Sequence, residues 1–328
     1  MGNKIFKAAY YNFDELALEI FSFQYRNNEL YRAYVDAIRV SPESVDSIEK
    51  IPFLPISFFK THRVVTTDFN PEITFESSGT TGENTSCHLV KSAALYESSF
   101  LKGFRLFYGA PSQWCILALL PGYLERKNSS LVYMVNDLIH KTHNEGSGFY
   151  LNDHDKLYQA LVKNEIIEKP TLLIGVTYAL LDFAQKYSLK LKNTLVMETG
   201  GMKGKREELT RDAVHEELKN NLGLSMVHSE YGMTELLSQA YSKGEGRFLC
   251  PPWMKVLTRE YNDPFAIRTG RDHKKPVSGL INIIDLANIY SCSFIATDDV
   301  GRLHGDSSFE VMGRRDMSDL RGCSLLTV

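Results

Sequence analysis

Between residues 114 and 201 three short apolar runs are each cut off by glycine or proline, and this pattern constrains the fold most. Trp114–Leu120 stops at Pro121-Gly122, Thr171–Ile174 at Gly175, and Leu195–Thr199 at Gly200-Gly201. Runs this short and this evenly apolar predict strands buried on both faces, as in the middle of a parallel sheet. Residues 91–108, 154–167 and 206–221 have helical character, so helices alternate with the strands. Ile73-Thr74-Phe75 predicts a further short strand running into a glycine-rich turn at 79–82. Strand, glycine turn and helix in succession imply the α/β class, with a largely parallel sheet covered by helices.

The flanks differ from this middle. Residues 11–40 place Phe13, Leu16, Ile20, Phe23, Leu30, Tyr34 and Ile38 near helical spacing, until Ser41-Pro42 breaks the pattern. Ile51–Pro55 is expected to be extended, because Pro52 and Pro55 each disfavour helix in the residue before. After about residue 245, prolines and short alternating segments such as Gly279–Ile284 suggest antiparallel strands. The expected organisation is a helical segment at 1–50, an α/β core at 51–245 and an antiparallel-rich subdomain at 246–328, within one compact unit.

A net charge of −3 with no basic stripe argues against a nucleic-acid partner. No apolar run approaches the ~18 residues of a membrane span. The N-terminus lacks the apolar core of a signal peptide, and Phe6 stands where a myristoylation start needs Ser or Thr. Cysteines 87, 115, 250, 292 and 323 form no C-x-x-C pair, which argues against a zinc ribbon or a disulfide framework. Scattered cysteines in odd number fit a reducing compartment, and a cytoplasmic enzyme is expected.

Four strings carry chemistry. Ser77-Ser78-Gly79-Thr80-Thr81-Gly82 follows the strand at 73–75, and small hydroxyl residues between glycines let backbone amides wrap a phosphate. It is not a Walker loop, because the spacing differs and no Lys-Ser/Thr follows. Tyr231-Gly232-Met233-Thr234-Glu235 offers a ring for a base, a hydroxyl for a phosphate and a carboxylate for Mg2+. Thr297-Asp298-Asp299-Val300-Gly301-Arg302 puts carboxylates at the end of an apolar strand, placed to accept ribose hydroxyls. Gly313-Arg314-Arg315-Asp316 adds arginines suited to ribose or phosphate. Taken singly, each string also reads as a solvated loop, a helix start, an acidic turn or surface charge.

In order and rough spacing, the four together resemble the signature of the adenylate-forming superfamily (acyl-CoA synthetases, peptide-synthetase adenylation domains, luciferases). There a Ser/Thr/Gly loop, a Tyr-Gly-x-Thr-Glu box, a Thr-Gly-Asp box and a Gly-Arg-x-Asp hinge share one site. The chain is shorter than those enzymes and is similar to a compact branch, the LuxE-type acyl-protein synthetases of bacterial bioluminescence. Ile51–Lys60, Ser77–Thr80, Glu198-Thr199-Gly200-Gly201, Pro251-Pro252-Trp253, Phe294–Gly301 and the terminal Arg321–Leu325 carry this likeness, over roughly residues 50 to 328. The Tyr-Gly-Met-Thr-Glu box is closer to the wider superfamily than to the luminescence branch.

The resemblance implies the large N-terminal-type domain of adenylate-forming enzymes, without the small C-terminal domain that normally brings a catalytic lysine. It implies ATP and Mg2+, and activation of a carboxylic, fatty-type acid as its acyl-adenylate. Ser77, Ser78, Gly79, Thr80, Thr81 and Gly82 would hold the triphosphate, and Glu235 the metal. Adenine would lie between Tyr231 and Gly200-Gly201, beside Gly232, with Asp299 and Arg314 on the ribose and Thr234 on the α-phosphate. Cys323 matches the branch's acyl-accepting cysteine, and a neighbouring cation such as Arg321 would favour its thiolate. Lys203, with Lys205, is placed to stand in for the missing lysine, and His228 to orient the acyl group or take the thiol proton. An apolar acyl pocket is expected from 115–124 and 173–178.

The implied partner is an acyl-accepting reductase, transferase or carrier protein. Two other readings stay open at this level: an acid–thiol ligase acting on coenzyme A or a carrier with Cys323 uninvolved, and a non-catalytic subunit that binds nucleotide or acyl groups. The identity of the acid and the existence of a homodimer are also left open. No Gly-x-Ser-x-Gly elbow occurs, which argues against a hydrolase of that kind.

Overall fold

The apolar runs lie side by side, hydrogen-bonded in parallel register, in a computed structural model that describes residues 2–7, 12–77, 85–120, 128–200, 209–270 and 275–315. Helices α1 (Gly2–Ile5), α2 (Phe13–Asn27) and α3 (Glu29–Ala37) precede strand β1 (Leu54–Pro55) and helix α4 (Phe58–Thr61). Strands β2 (Ile73–Glu76) and β3 (Cys87–Val90) form an antiparallel pair. Then come α5 (Ala93–Tyr108), β4 (Cys115–Leu119), α6 (Ser130–Thr142), β5 (Gly148–Phe149) and α7 (His154–Ile166). Strand β6 (Thr171–Val176), α8 (Thr177–Lys186), β7 (Thr194–Thr199), α9 (Arg211–Leu222) and β8 (His228–Tyr231) complete the alternating part. The remainder is strand apart from a 3-10 turn at Leu286–Asn288: β9 (Ala240–Ser242), β10 (Phe248–Leu249), β11 (Met254–Arg259), β12 (Ile267–Arg268), β13 (Val277–Asp285), β14 (Phe294–Leu303) and β15 (Phe309–Arg314).

One large sheet takes up all of these strands except β2 and β3, in the order β12-β11-β13-β14-β15-β10-β9-β8-β7-β6-β4-β5, with β1 beside β14. Neighbours from β5 through β8 are parallel, and from β8 through β12 antiparallel. The change of direction falls between β8 and β9. Strands β4 and β6 are buried at every position, which is why their sequences are apolar throughout rather than alternating.

Two expectations are corrected in detail. The helical stretch expected over 11–40 is broken at Asn28, which takes an extended backbone between α2 and α3. Its side chain explains the break: Oδ1 accepts from the Tyr31 amide, while Nδ2 donates to the Ser291 carbonyl and the Thr66 hydroxyl. Those bonds reward a kink that helix propensity alone would not choose. Of the helix expected at 206–221, the described part begins at Arg211, capped by the Thr210 hydroxyl.

The N-terminal helices are seated on the far end of the chain. Gln24 donates to the carbonyls of Asn288 and Ile289 and accepts from the Ser293 amide, and Phe21 and Tyr31 pack on Phe294. The hydroxyls of buried Tyr31 and part-buried Tyr34 donate to the carbonyls of Pro52 and Phe53. The extended Ile51–Pro55 segment thereby lies along β14, with Leu54 opposite Ile295 and Pro55 opposite Ala296.

Candidate active site

The carboxyl ends of β7 and β8 lie where the sheet changes from parallel to antiparallel, the place where open α/β sheets hold ligands. The sequence folds here through polar residues rather than apolar ones. All four residues of β8 are buried, although they read His228-Ser229-Glu230-Tyr231. Alternation sends Ser229 and Tyr231 to one face and His228 and Glu230 to the other.

On the first face the Tyr231 hydroxyl donates to Asp299 Oδ2 at 2.7 Å, joining the second motif to the third. The Tyr231 ring packs edge-on against Phe248 and Phe309. Asp299 lies opposite Arg314 in the β14–β15 register, and its amide donates to the Thr297 hydroxyl. Burial pushes the Asp299 carboxyl up from its ordinary value, against the Tyr231 bond and the Arg314 charge that pull it down. Arg314 itself is exposed and stands 3.9 Å from Asp298.

Glu235 is buried too, and burial pushes its carboxyl up, opposed by a hydrogen bond from Ser86 and by the charge of Arg314. Ser86 closes the stem of the 77–86 loop. The Ser77 amide donates to the Ser86 carbonyl at 3.0 Å, and the Ser86 amide to Ser77 Oγ at 2.9 Å. The stem of the first motif thus lies close to the carboxylate of the second.

Three buried side chains that motif reasoning did not single out fix the segment after Gly232. His88 Nδ1 lies 2.8 Å from the Thr234 carbonyl, which can only accept, so that nitrogen carries the proton. Nε2 then accepts from Ser291 Oγ at 2.9 Å. Both bonds suit a neutral ring, and burial pushes the His88 pKa down to about 4. Asn288 Nδ2 donates to the Glu235 carbonyl, and Asp285 accepts from the amides of Leu237, Ser238 and Ala287. Asp285 ends the apolar run Gly279–Ile284, and a lone carboxylate at the end of such a run is the signal that would have found it.

Behind β7, Glu198 meets Arg211 at 3.4 Å and His215 at 3.7 Å. Burial opposes its charge, but His215, Arg211 and Ser229 together hold its pKa below the usual carboxylate value. The Thr177 hydroxyl bridges Glu198 and the Gly200 carbonyl, fixing a turn in which Gly200 has φ +69°. His228 is on the opposite face, with Nδ1 3.3 Å from the Tyr108 hydroxyl, and burial first, then the charges of Lys243 and His215, push it down to about 4.

Thus Ser77, Thr234, Glu235, Tyr231, Gly232, Asp299 and Arg314 belong to one neighbourhood, Gly200 lies at its edge, and His228 faces the other side of β8. Ser78, Gly79, Thr80, Thr81, Gly82, Gly201, Lys203 and Cys323 lie outside the described residues. The strands expected to line an acyl pocket, β4 and β6, are neighbours in the sheet, where Gly175 approaches Leu119 and Leu180 too closely for a Cβ.

With the loop stem, the box and the acidic strand end brought together, the sequence comparison decides the family: residues 8–327 match acyl-protein synthetase, LuxE. The chain belongs to the LuxE acyl-protein synthetase family. It is therefore an enzyme of the acyl-protein synthetase class. A long-chain-fatty-acid–luciferin-component ligase of Vibrio harveyi is 23% identical over 333 residues, covering 93% of this chain and 84% of that protein. Among solved structures, ATP-bound MatB from Rhodopseudomonas palustris superposes with a TM-score of 0.54 at 16% identity, over 75% of this chain and 49% of the other. The luciferase-like enzyme of the mealworm Zophobas morio gives 0.50 at 15% identity, over 76% of this chain and 59% of the other. This LuxE-family chain therefore shares the fold of the adenylate-forming enzymes and spans about half the length of the MatB chain it matches.

Proposed function

We propose that the protein uses ATP to activate a carboxylic acid of the fatty class as its acyl-adenylate, accepts the acyl group on Cys323, and delivers it to a partner protein. The observation that carries this reading is the 2.7 Å bond from the Tyr231 hydroxyl to Asp299, which joins the Tyr-Gly-Met-Thr-Glu box to the acidic end of β14. The fatty-acid and partner parts rest on the likeness to the long-chain-fatty-acid–luciferin-component ligase of Vibrio harveyi.

ATP would lie with its triphosphate on Ser77 and the Ser78–Gly82 loop, its adenine near Tyr231, Gly232 and Gly200-Gly201, and its ribose on Asp299 and Arg314. Among the described residues there is no cluster of three His, Cys, Asp or Glu side chains for a metal. Glu235 as a single carboxylate fits Mg2+, which keeps waters and takes substrate phosphates rather than an all-protein cage. Bound there, Mg2+ would neutralise phosphate charge. A substrate carboxylate oxygen forms a bond to the α-phosphorus, the bond to the β-phosphate oxygen breaks, and pyrophosphate leaves. No strong base is required, since the acid is already ionised, and alignment with charge neutralisation does the catalysis. Thr234 bonds the α-phosphate, and Lys203 adds positive charge.

In the second step the Cys323 thiolate attacks the acyl carbonyl and AMP leaves with the bonding electrons of the C–O bond. His228, neutral and weakly basic, suits orienting the acyl group better than taking the thiol proton.

The test is the intact mass of the protein after incubation with ATP, Mg2+ and a pool of carboxylic acids, beside Cys323→Ser. An ATP-dependent increment that hydroxylamine removes, and that Cys323→Ser lacks, is expected. An increment of the same size in Cys323→Ser would remove Cys323 from the pathway. Pyrophosphate release without any increment would favour a ligase that acylates coenzyme A or a carrier directly.

A further inference from the structure

The acidic strand end at Thr297-Asp298-Asp299 does not lie on a regular ladder. Between β13 and β14 the register runs from Val300 opposite Leu280 to Ala296 opposite Asn282, so Thr297, Asp298 and Asp299 stand opposite Ile281 alone. A bulge of this kind takes backbone groups out of the ladder and re-aims side chains, which is why bulges recur beside active sites. Here the displaced groups find other partners. The Asp298 carbonyl accepts from the Arg315 amide at 2.8 Å. The Asp299 amide donates to the Thr297 hydroxyl at 3.2 Å, and that hydroxyl donates to the Ile281 carbonyl at 2.8 Å.

Arg259 completes the set from β11, where it pairs with Leu280 of β13. Its Nη1 donates to the Ile281 carbonyl at 3.0 Å and to Asn282 Oδ1 at 2.5 Å, and its Nη2 donates to the Thr297 carbonyl of β14 at 2.6 Å. Thr297 is therefore held twice, at its carbonyl directly and at its hydroxyl through the Ile281 carbonyl that it shares with Arg259. A planar guanidinium fork can serve both strands at once, where a lysine would bring a point charge. Arg259 is 9% exposed, and its acceptors among the described residues are all neutral. Burial pushes its pKa down to about 10, opposed by the charge of Asp298, so the group stays charged at neutral pH. A buried cation on neutral acceptors adds little that a packed apolar side chain would not, so stability alone does not call for it.

What the fork fixes is the last residue of the bulge. With its amide on Thr297 and Oδ2 on the Tyr231 hydroxyl, the Asp299 carboxyl has a set direction, and Oδ1 lies outside these bonds. Resting on the ATP site proposed above, we infer that Arg259 is a positioning residue for the nucleotide, its fork holding the bulge at 297–299 so that Asp299 is presented to the ribose hydroxyls. Without the fork the Thr297 carbonyl loses its donor, Thr297 is free to turn, and the Asp299 amide loses its acceptor. The effect falls on the ribose. The bonds that fix the Thr234 and Glu235 carbonyls, from His88 and Asn288, do not pass through Arg259.

The experiment is calorimetric binding of ATP, 2′-deoxyATP and 3′-deoxyATP to the whole protein, which needs neither the acid nor turnover, with pyrophosphate exchange on a pool of acids run beside it. It compares wild type, Asp299→Ala, Arg259→Met, Arg259→Lys and Thr297→Val. Wild type should bind ATP at least about tenfold more tightly than the weaker deoxy analogue, and Asp299→Ala should bring that ratio below about threefold. Arg259→Met should match Asp299→Ala in this ratio, and Arg259→Lys should fall between, keeping the charge without the fork. Thr297→Val removes one hydroxyl and leaves the buried cation in place. It should lower the ratio too, and it keeps the test decisive if Arg259→Met fails to fold. A wild-type ratio in folded Arg259→Met or in Thr297→Val would leave Arg259 a structural role only and overturn the inference. Selective binding of ATP without exchange on any acid would overturn acid activation, while the ratios still decide for or against Arg259. No binding of ATP by the wild type, or equal binding of ATP and both analogues, would overturn the ribose placement and this inference with it.

Discussion

A neutral imidazole at His88 ties the carbonyl of Thr234 to the hydroxyl of Ser291, and nothing in a motif announces it. Because His88 lies on β3, immediately after the loop stem, it links the phosphate-type loop to the box. His88→Ala should therefore raise KM for ATP by about tenfold, leave KM for the acid nearly unchanged, and be partly rescued by His88→Asn, which keeps a donor. Steady-state pyrophosphate kinetics on the three proteins checks this. Two buried groups also give opposite pH signatures. His88 has a folded pKa of about 4, below its ordinary 6.5, so its contribution is full above 6.5 and is lost as pH falls toward 4. Glu230 has a folded pKa of about 7, above its ordinary 4.5, so its contribution is full below 4.5 and is lost as pH rises through 7. Relative to wild type, His88→Asn should gain urea stability on going from about pH 7 to about pH 4.5, and Glu230→Gln should lose it over the same descent. Flat differences would contradict the buried, ion-excluding environments assigned to both. Of the site's residues, those in motifs were legible because phosphate and ribose chemistry needs hydroxyls, glycines and carboxylates at close spacing. His88, Asn288 and Asp285 were not, because each acts through one backbone group far away in sequence, and only the fold brings them together.

At the scale of elements, β1 is two residues long and pairs with β14. Leu54 is fully buried beside Ile295, just ahead of Thr297–Asp299, so the Ile51–Pro55 segment braces the strand that carries the ribose-type carboxylate. Leu54→Ala should cost about 2–5 kcal/mol of stability, read as a lowered urea midpoint. A loss under about 0.5 kcal/mol would show that β1 is a surface strap rather than part of the core. The strands β4, β6 and β7 were legible because burial on both faces demands unbroken apolar runs. Strand β8 was not: it is equally buried but polar, its groups satisfied by Thr199, His215, Tyr108 and Asp299. Helix α8 begins directly after β6, so the apolar run continues across the strand–helix junction and hides the change of period.

At the scale of the whole molecule, one sheet carries both the parallel half and the antiparallel half, and the motifs gather where the two meet. Long-range connection is what makes this a site: Tyr231 to Asp299, Ser86 to Glu235, and Arg314 facing both carboxylates. No helix among the described residues is long and apolar enough to cross a membrane. If this junction adenylates a carboxylic acid, the protein exchanges labelled pyrophosphate into ATP, a measurement that requires neither the acyl acceptor nor Cys323. Exchange should depend on added acid and on Mg2+, and fall by about a hundredfold or more in Glu235→Gln. Exchange that persists undiminished in Glu235→Gln, or that fails with every acid while the folded protein still binds ATP, would contradict adenylation at this junction.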